Sequence, residues 1–184
     1  MKCLGCFEDT IYPDQPTLFS RTSARGLLIN QEGQIGMNHV FCDDEFGHRD
    51  HLESCGGGIE ENESPLEALK REAREELGVE ILSAHLLGYI DDEYHLLQRK
   101  NRSIFYIAFC SEVLYERKLS KLEKKLLRDP VWLEKEELMK RLNPQYNNGI
   151  GFLVTRRDWC ALQYFLEAAE TEKYRKYWKQ TVKR

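Results

Sequence analysis

Three successive glycines, Gly56-Gly57-Gly58, run into a helix whose two ends are both marked, and no other feature constrains the chain so tightly. The glycines break regular structure and allow close approach to the backbone. Ser64 is a good N-cap, Pro65 fits the first helical position, and Glu67 completes a capping box with Ser64. Gly78 supplies the stop. The spacing predicts a helix over about Pro65–Leu77. Leu66, Leu69, Ala73 and Leu77 recur at helical spacing and form its buried stripe.

On either side of this helix the pattern is that of strands. Thr22–Asn30 is apolar and ends at the turn Asn30-Gln31-Glu32-Gly33, so it reads as a strand entering a hairpin, with Gln34–Phe41 returning. Cys42–Asp50 is charged and polar and reads as a loop. Ile81–Tyr94 and Arg102–Leu114 read as strands separated by the polar Gln98-Arg99-Lys100-Asn101. Val131-Trp132-Leu133 follows Pro130 as a short strand. Glu134–Leu142 and Arg157–Lys179 read as helices. Interleaved strands and helices, with hairpins among the strands, predict a mixed-sheet α/β domain with helices packed on the sheet. At 184 residues, without a repeat or a composition break, residues 1–184 read as a single domain.

The helix also carries Glu72, Glu75 and Glu76. At 3.6 residues per turn these share one flank, beside the apolar stripe. Like charges at such spacings repel by roughly a few tenths of a kcal/mol per pair on a solvated helix. Crowding beside a core raises carboxyl pKa values further. A hard divalent cation removes both penalties, and Mg²⁺ commonly sits on a few carboxylates plus substrate phosphates. The triad alone reads more readily as an ordinary solvated acidic helix face, and its surroundings reverse that reading.

Those surroundings read Gly57-x5-Glu63-x7-Arg71-Glu72-Ala73-x-Glu75-Glu76-x-Gly78-Val79. The segment resembles the Nudix box, and the chain resembles a Nudix hydrolase of the MutT-like kind. Seven fixed identities are present; at about 1 in 15 each, coincidence is about 10⁻⁸ per starting position. Ala73 stands where a larger aliphatic residue is usual, and Cys55 where many members have proline. The resemblance implies an α/β/α sandwich with a mixed β-sheet and a catalytic loop–helix–loop. It implies that Glu72, Glu75 and Glu76, with the Gly57 carbonyl, hold Mg²⁺ or Mn²⁺, and that Glu63 pairs with Arg71 to brace the loop. Glu72 or Glu76 is the expected proton acceptor from the attacking water. Some members use a glutamate outside the box, for which Glu123, Glu116 and Glu112 are candidates in that order. The implied reaction is hydrolysis of the diphosphate linkage in a nucleoside diphosphate joined to another group X. A nucleotide-sensing module that does not hydrolyse its ligand is the alternative, although such modules usually lose box glutamates.

Specificity lies outside the box. Tyr94, Phe105, Tyr106, Phe41 and Phe152 are candidates for stacking on a base, though at strand spacing most such aromatics are core residues. Arg25, Arg99, Lys100 and Arg102 are candidates to hold phosphates. Tyr94, Arg25 and Glu123 are the residues carried forward as substrate contacts.

Composition narrows the rest. A net charge of −4 argues against a general nucleic-acid binder. Basic runs at Arg117–Arg128 and from Lys173 to Arg184 read as a solvated helix end and tail. The longest apolar run, Ile104–Cys110, is far below the ~18 residues that cross a bilayer. Met1–Cys6 lacks the apolar core of a signal peptide. The expectation is a soluble, cytoplasmic protein acting on a small molecule, away from membranes, with a homodimer left open. Six cysteines in such a chain need not form disulfides. Cys3-x-x-Cys6 and the set Cys42, His48, His51 and Cys55 have loosely zinc-like spacing, but neither completes a recognised pattern.

Overall fold

A computed structural model describes residues 1–44 and 47–169. Seven strands form one sheet: β1 Cys3–Phe7, β2 Phe19–Ile29, β3 Ile35–Asp44, β4 Gly47–Gly58, β5 Ile81–Tyr94, β6 Arg99–Cys110 and β7 Val131–Leu133. Their spatial order is β1-β5-β6-β2-β4-β3-β7. β2 lies parallel to β6, and β1 to β5, while the remaining neighbours are antiparallel, so the sheet is mixed. The helices are α1 Pro65–Glu72, α2 Glu123–Leu126, α3 Lys135–Leu142 and α4 Gly149–Ala169.

Alternation along β2 sorts the two faces. Ala24 and Leu28 join Leu69, Ala73 and Leu77 under α1. Leu27 and Ile29 join Leu138, Leu142, Leu162 and Phe165 under α3 and α4. The architecture is therefore an α/β/α sandwich. Gly26 permits the close seat of α1, because a Cβ there would press on Leu69. Among the described residues no helix is long and apolar enough to cross a membrane.

The structure corrects four expectations. Within the polar Cys42–Asp50 stretch, the described residues are strand, Cys42–Asp44 ending β3 and Gly47–Asp50 beginning β4, laddered together out to Asp44 and Gly47. Its charges pair across the strands, His39 with Asp50 at 2.8 Å and His48 with Asp43 at 2.9 Å, so polarity there reflects exposure rather than irregularity. β6 begins at Arg99, paired with Tyr94, because one 3₁₀ turn at His95–Leu97 closed by the left-handed Gln98 suffices to reverse the chain. It stops at Cys110, after which the chain leaves the sheet and Leu114 N–H donates to Gly78 O. α4 starts at Gly149 rather than Arg157, since Ile150, Leu153 and Val154 bury against Tyr94 and outweigh two glycines. β1 has no counterpart in the sequence pattern, being set by its parallel partner β5. The basic run from Lys173, and the far end of the helix expected to reach Lys179, lie outside the described residues.

Candidate active site

β4 ends in the glycine run, and the site is built on it. Gly56 takes φ +139°, a conformation that favours glycine, and its N–H donates to Glu76 Oε2 at 2.9 Å. At Gly57 a Cβ would run into the Glu72 carboxylate, so glycine is what lets that carboxylate lie against the backbone. Beyond the loop, Ser64 and Glu67 form both halves of the capping box that starts α1. Arg71 then ties loop to helix. It donates to Glu63 at 3.0 and 3.1 Å, to Gly58 O at 3.1 Å, to Glu72 at 2.7 Å and to Glu75 at 3.3 Å.

The last turn of this helix, Ala73–Leu77, is wider than α, with the Gly78 N–H donating five residues back to Ala73 O. Such widened turns recur at functional sites. Here the widening keeps Glu76 below Glu72 but carries Glu75 round toward solvent, where it meets Arg71. The flank shared by three glutamates in an ideal helix thus becomes a buried pair and an outlier.

Glu123 supplies the third carboxylate. Oxygens of Glu72, Glu76 and Glu123 all lie within 4.8 Å of one another. The chain after β6 wraps the C-terminal end of α1 to deliver it: Arg117 Nε donates to Glu76 O at 2.7 Å, and Lys118 N to Glu75 O at 2.9 Å. Ser120 N–H donates to the Glu123 carboxylate at 2.7 Å. Burial, then the neighbouring Glu72 charge, push Glu76 up to about 7, against hydrogen bonds from Gly56, Asn38 and Cys55. Burial also raises Glu72, despite Arg71 beside it. Glu63 is held low by the Arg71 hydrogen bonds. Three converging oxygens, two on carboxyls that burial disfavours as anions, fit a hard divalent cation. The cleft in front of them, ≈ 490 Å³, is lined by Arg21, Gly58, Arg71, Glu75 and Lys118 among others.

The remaining sequence candidates lie away from the three glutamates. Glu116 faces a different cleft, beside Arg74 and Tyr115. Tyr94 is 3% exposed and donates from its hydroxyl to Asp92 at 2.8 Å, so it is a core residue. Phe105 is fully buried, Phe41 is covered by Arg128, and Phe152 by Arg156. Arg25 is bound to Glu53 at 2.7 Å, Lys100 to Glu93 at 2.6 Å and Arg102 to Asp91 at 2.8 Å. Among the described residues the only metal-competent cluster is that of Glu72, Glu76 and Glu123, so neither cysteine set forms one. His51 packs toward α4 at Gly151, whereas Cys55 sits in the core beneath α1. Sequence reasoning passed over Asn38 and Arg117, which address Glu76, and Arg21, which borders the cleft. Arg21 was detectable in principle, since strand alternation puts it on the face of Arg25.

Known proteins carry the same frame. The model of the NUDIX domain matches residues 20–151. A Haemophilus influenzae protein named 8-oxo-dGTP diphosphatase is 37% identical over 71 residues, 39% of this chain and 51% of that protein. The chain thus matches about half the length of that relative. The MutT protein of Methanosarcina mazei Go1 superposes with a TM-score of 0.60 at 16% identity, covering 87% of this chain and 100% of that one. A NUDIX hydrolase from Nitrosomonas europaea gives 0.61 at 15%, covering 80% and 89%. At such identities the likeness is one of fold. The domain match spans most of the chain and includes the whole glycine–helix segment, so this chain belongs to the Nudix family.

Proposed function

We propose that the protein is a divalent-metal-dependent pyrophosphohydrolase that cleaves the diphosphate linkage of a nucleoside diphosphate joined to a group X. On this reading it works as a soluble cytoplasmic enzyme on small molecules. The observation that carries the reading is the convergence of Glu72, Glu76 and Glu123 from two separate segments in front of a glycine-built cleft. Glu72 and Glu76, with the Gly57 carbonyl, would hold Mg²⁺ or Mn²⁺, and Glu75 would close the solvent side. A bound cation supplies positive charge for the diphosphate and acidifies a coordinated water. Arg71 keeps Glu72 and the Gly58 carbonyl in register through its hydrogen bonds. Glu123 is the least buried of the three carboxylates. It is therefore our choice to take the proton of the attacking water, in place of Glu72 or Glu76, which lie deeper.

The test is a hydrolysis panel with and without Mg²⁺ or Mn²⁺, covering nucleoside diphosphate sugars, dinucleotides and oxidised nucleoside triphosphates. The last are included because the Haemophilus influenzae relative bears that name. Metal-dependent turnover of at least one class is expected. Glu123→Gln should cut kcat by about two orders of magnitude while keeping the rise in Tm that metal gives; loss of that rise as well would make Glu123 a ligand instead. Binding without turnover across the panel would make the protein a sensor.

A further inference from the structure

A second cavity, ≈ 150 Å³, lies between the sheet and the first turns of α4. Its lining includes Arg21, Arg25, Arg49, Arg99 and Arg157, together with Tyr94. Most of these cations are matched. Arg25 has Glu53 at 2.7 Å and Ser54 O at 2.9 Å. Arg157 has Asp158 at 2.8 Å and Glu53 at 3.3 Å. Arg49 pairs with Asp44.

Arg21 and Arg99 are different. Among the described residues neither has a carboxylate partner or a hydrogen bond, and Arg99 Nε is buried without an acceptor. Strand pairing explains why they meet: β2 and β6 run parallel, with Arg21 opposite Asn101 and Phe19 opposite Arg99. Both guanidinium groups therefore rise from adjacent strands into one cavity. Burial and the charge of Arg21 both make the Arg99 cation less favourable. What offsets this is the face of Tyr94, 5.6 Å from the guanidinium, and the more distant charge of Asp92, which makes no ion pair with it. Arg21 is exposed and Arg99 half-buried, and a half-buried cation whose Nε has no acceptor, next to a like charge, is costly in a ligand-free protein. An anion with several acceptor oxygens removes that cost, and arginine matches a phosphoryl group through paired hydrogen bonds.

Position and size say which anion. Arg21 lines the carboxylate cleft as well as this cavity, whereas Arg99 lines only the cavity. A molecule with its diphosphate at the glutamates would pass Arg21 to reach Arg99. The cavity is about half the low end of ordinary small-molecule sites, roughly 300 Å³, so it suits a compact charged group better than a nucleobase.

We propose that Arg21 and Arg99 form a subsite for a phosphate monoester carried by the substrate outside the diphosphate that is cleaved. This rests on the pyrophosphohydrolase reading, and two arms of one experiment separate them. In the first, the metal-free protein is melted with and without inorganic phosphate. Phosphate should raise the Tm of the wild type. In Arg99→Gln its affinity should fall about tenfold or more, with Arg99→Lys in between. Without phosphate, Arg99→Gln should melt no lower than wild type, because it discards a half-buried charge that has no ion pair; a purely structural arginine would give a lower Tm. In the second arm, kcat/KM is compared for an adenosine diphosphate sugar and the same compound with an added ribose phosphate. The wild type should favour the phosphorylated compound about tenfold or more, through KM, and Arg99→Gln should erase most of that preference. No phosphate effect on the wild type, or an equal one in Arg99→Gln, overturns the subsite. Phosphate binding without substrate preference overturns its assignment to the substrate. Hydrolysis of neither compound, with the phosphate effect intact, overturns the pyrophosphohydrolase reading while the anion site stands.

Discussion

Glu76 sits where its charge is poorly solvated, 6% exposed and next to Glu72. A carboxyl pushed up to about 7 is destabilising as an anion in the metal-free protein at alkaline pH. Replacing it with an isosteric amide removes the charge and keeps an acceptor for the Gly56 N–H. Glu76→Gln should therefore melt higher than wild type at pH 8 without metal. With metal it should turn over substrate about a hundredfold more slowly or worse, the scale of a lost ligand. Thermal melts and initial rates on the same preparations check both. A variant less stable than wild type at pH 8 would show that the native carboxylate is well compensated without a cation.

The glycine loop, the capped helix and its widened last turn act together, and their coupling to metal is an element-scale property. Because the Glu76 carboxyl binds protons more tightly in the folded state than at its ordinary value of 4.5, stability in the metal-free protein is highest at low pH on this account. It is lost as pH rises from that value toward about 7. A cation that binds the ionised, folded site offsets the loss. Mg²⁺ should raise Tm more at pH 8 than at pH 5; an equal or smaller rise at pH 8 would mean that these carboxylates do not share a metal. The seat of the helix is tested at Gly57. Gly57→Ala places a methyl group against the Glu72 carboxylate. It should cost about 1–3 kcal/mol of stability, as overpacking does, and lower activity at least tenfold through displacement of Glu72. Activity within twofold of wild type would show that the loop yields without moving the carboxylate.

α4 is held to the sheet by charge as well as by apolar packing. Asp158 is fully buried, accepts from Ser54 N–H at 2.6 Å and from Arg157 Nε at 2.8 Å. Arg157, 2% exposed, reaches on to Glu53 and the Tyr94 hydroxyl. Removing one partner of such a set strands the other. Asp158→Ala should destabilise by about 3–5 kcal/mol, a fall in Tm of roughly 10 °C for a chain of this length. A loss under about 1 kcal/mol in denaturant unfolding would show that water or a rearranged Arg157 replaces Asp158.

The segment legible from its residues alone is the one whose instructions are local. The capping box, the glycine stop, the stripe of Leu69, Ala73 and Leu77, and the Arg71–Glu63 spacing act within a few turns of chain, and α1 begins at Pro65 as those signals dictate, while Leu66 at the start of the stripe stays half-buried outside that cluster. Much of the mixed sandwich was legible for the same reason, as strand and helix periods alternate visibly along the chain. What needed the tertiary structure depends on partners distant in sequence. β1 exists through β5, and the polar ends of β3 and β4 are strand because each ladders with the other. Helical arithmetic grouped Glu75 with Glu72 and Glu76. The widened turn and the loop that carries Glu123 across α1 regroup them, and neither is encoded in the spacing of the glutamates. Arg25, Lys100 and Arg102 resemble Arg21 and Arg99 in sequence. Only the folded sheet gives the first three a carboxylate and leaves the last two lining one cavity without one, because pairing depends on which strands lie side by side.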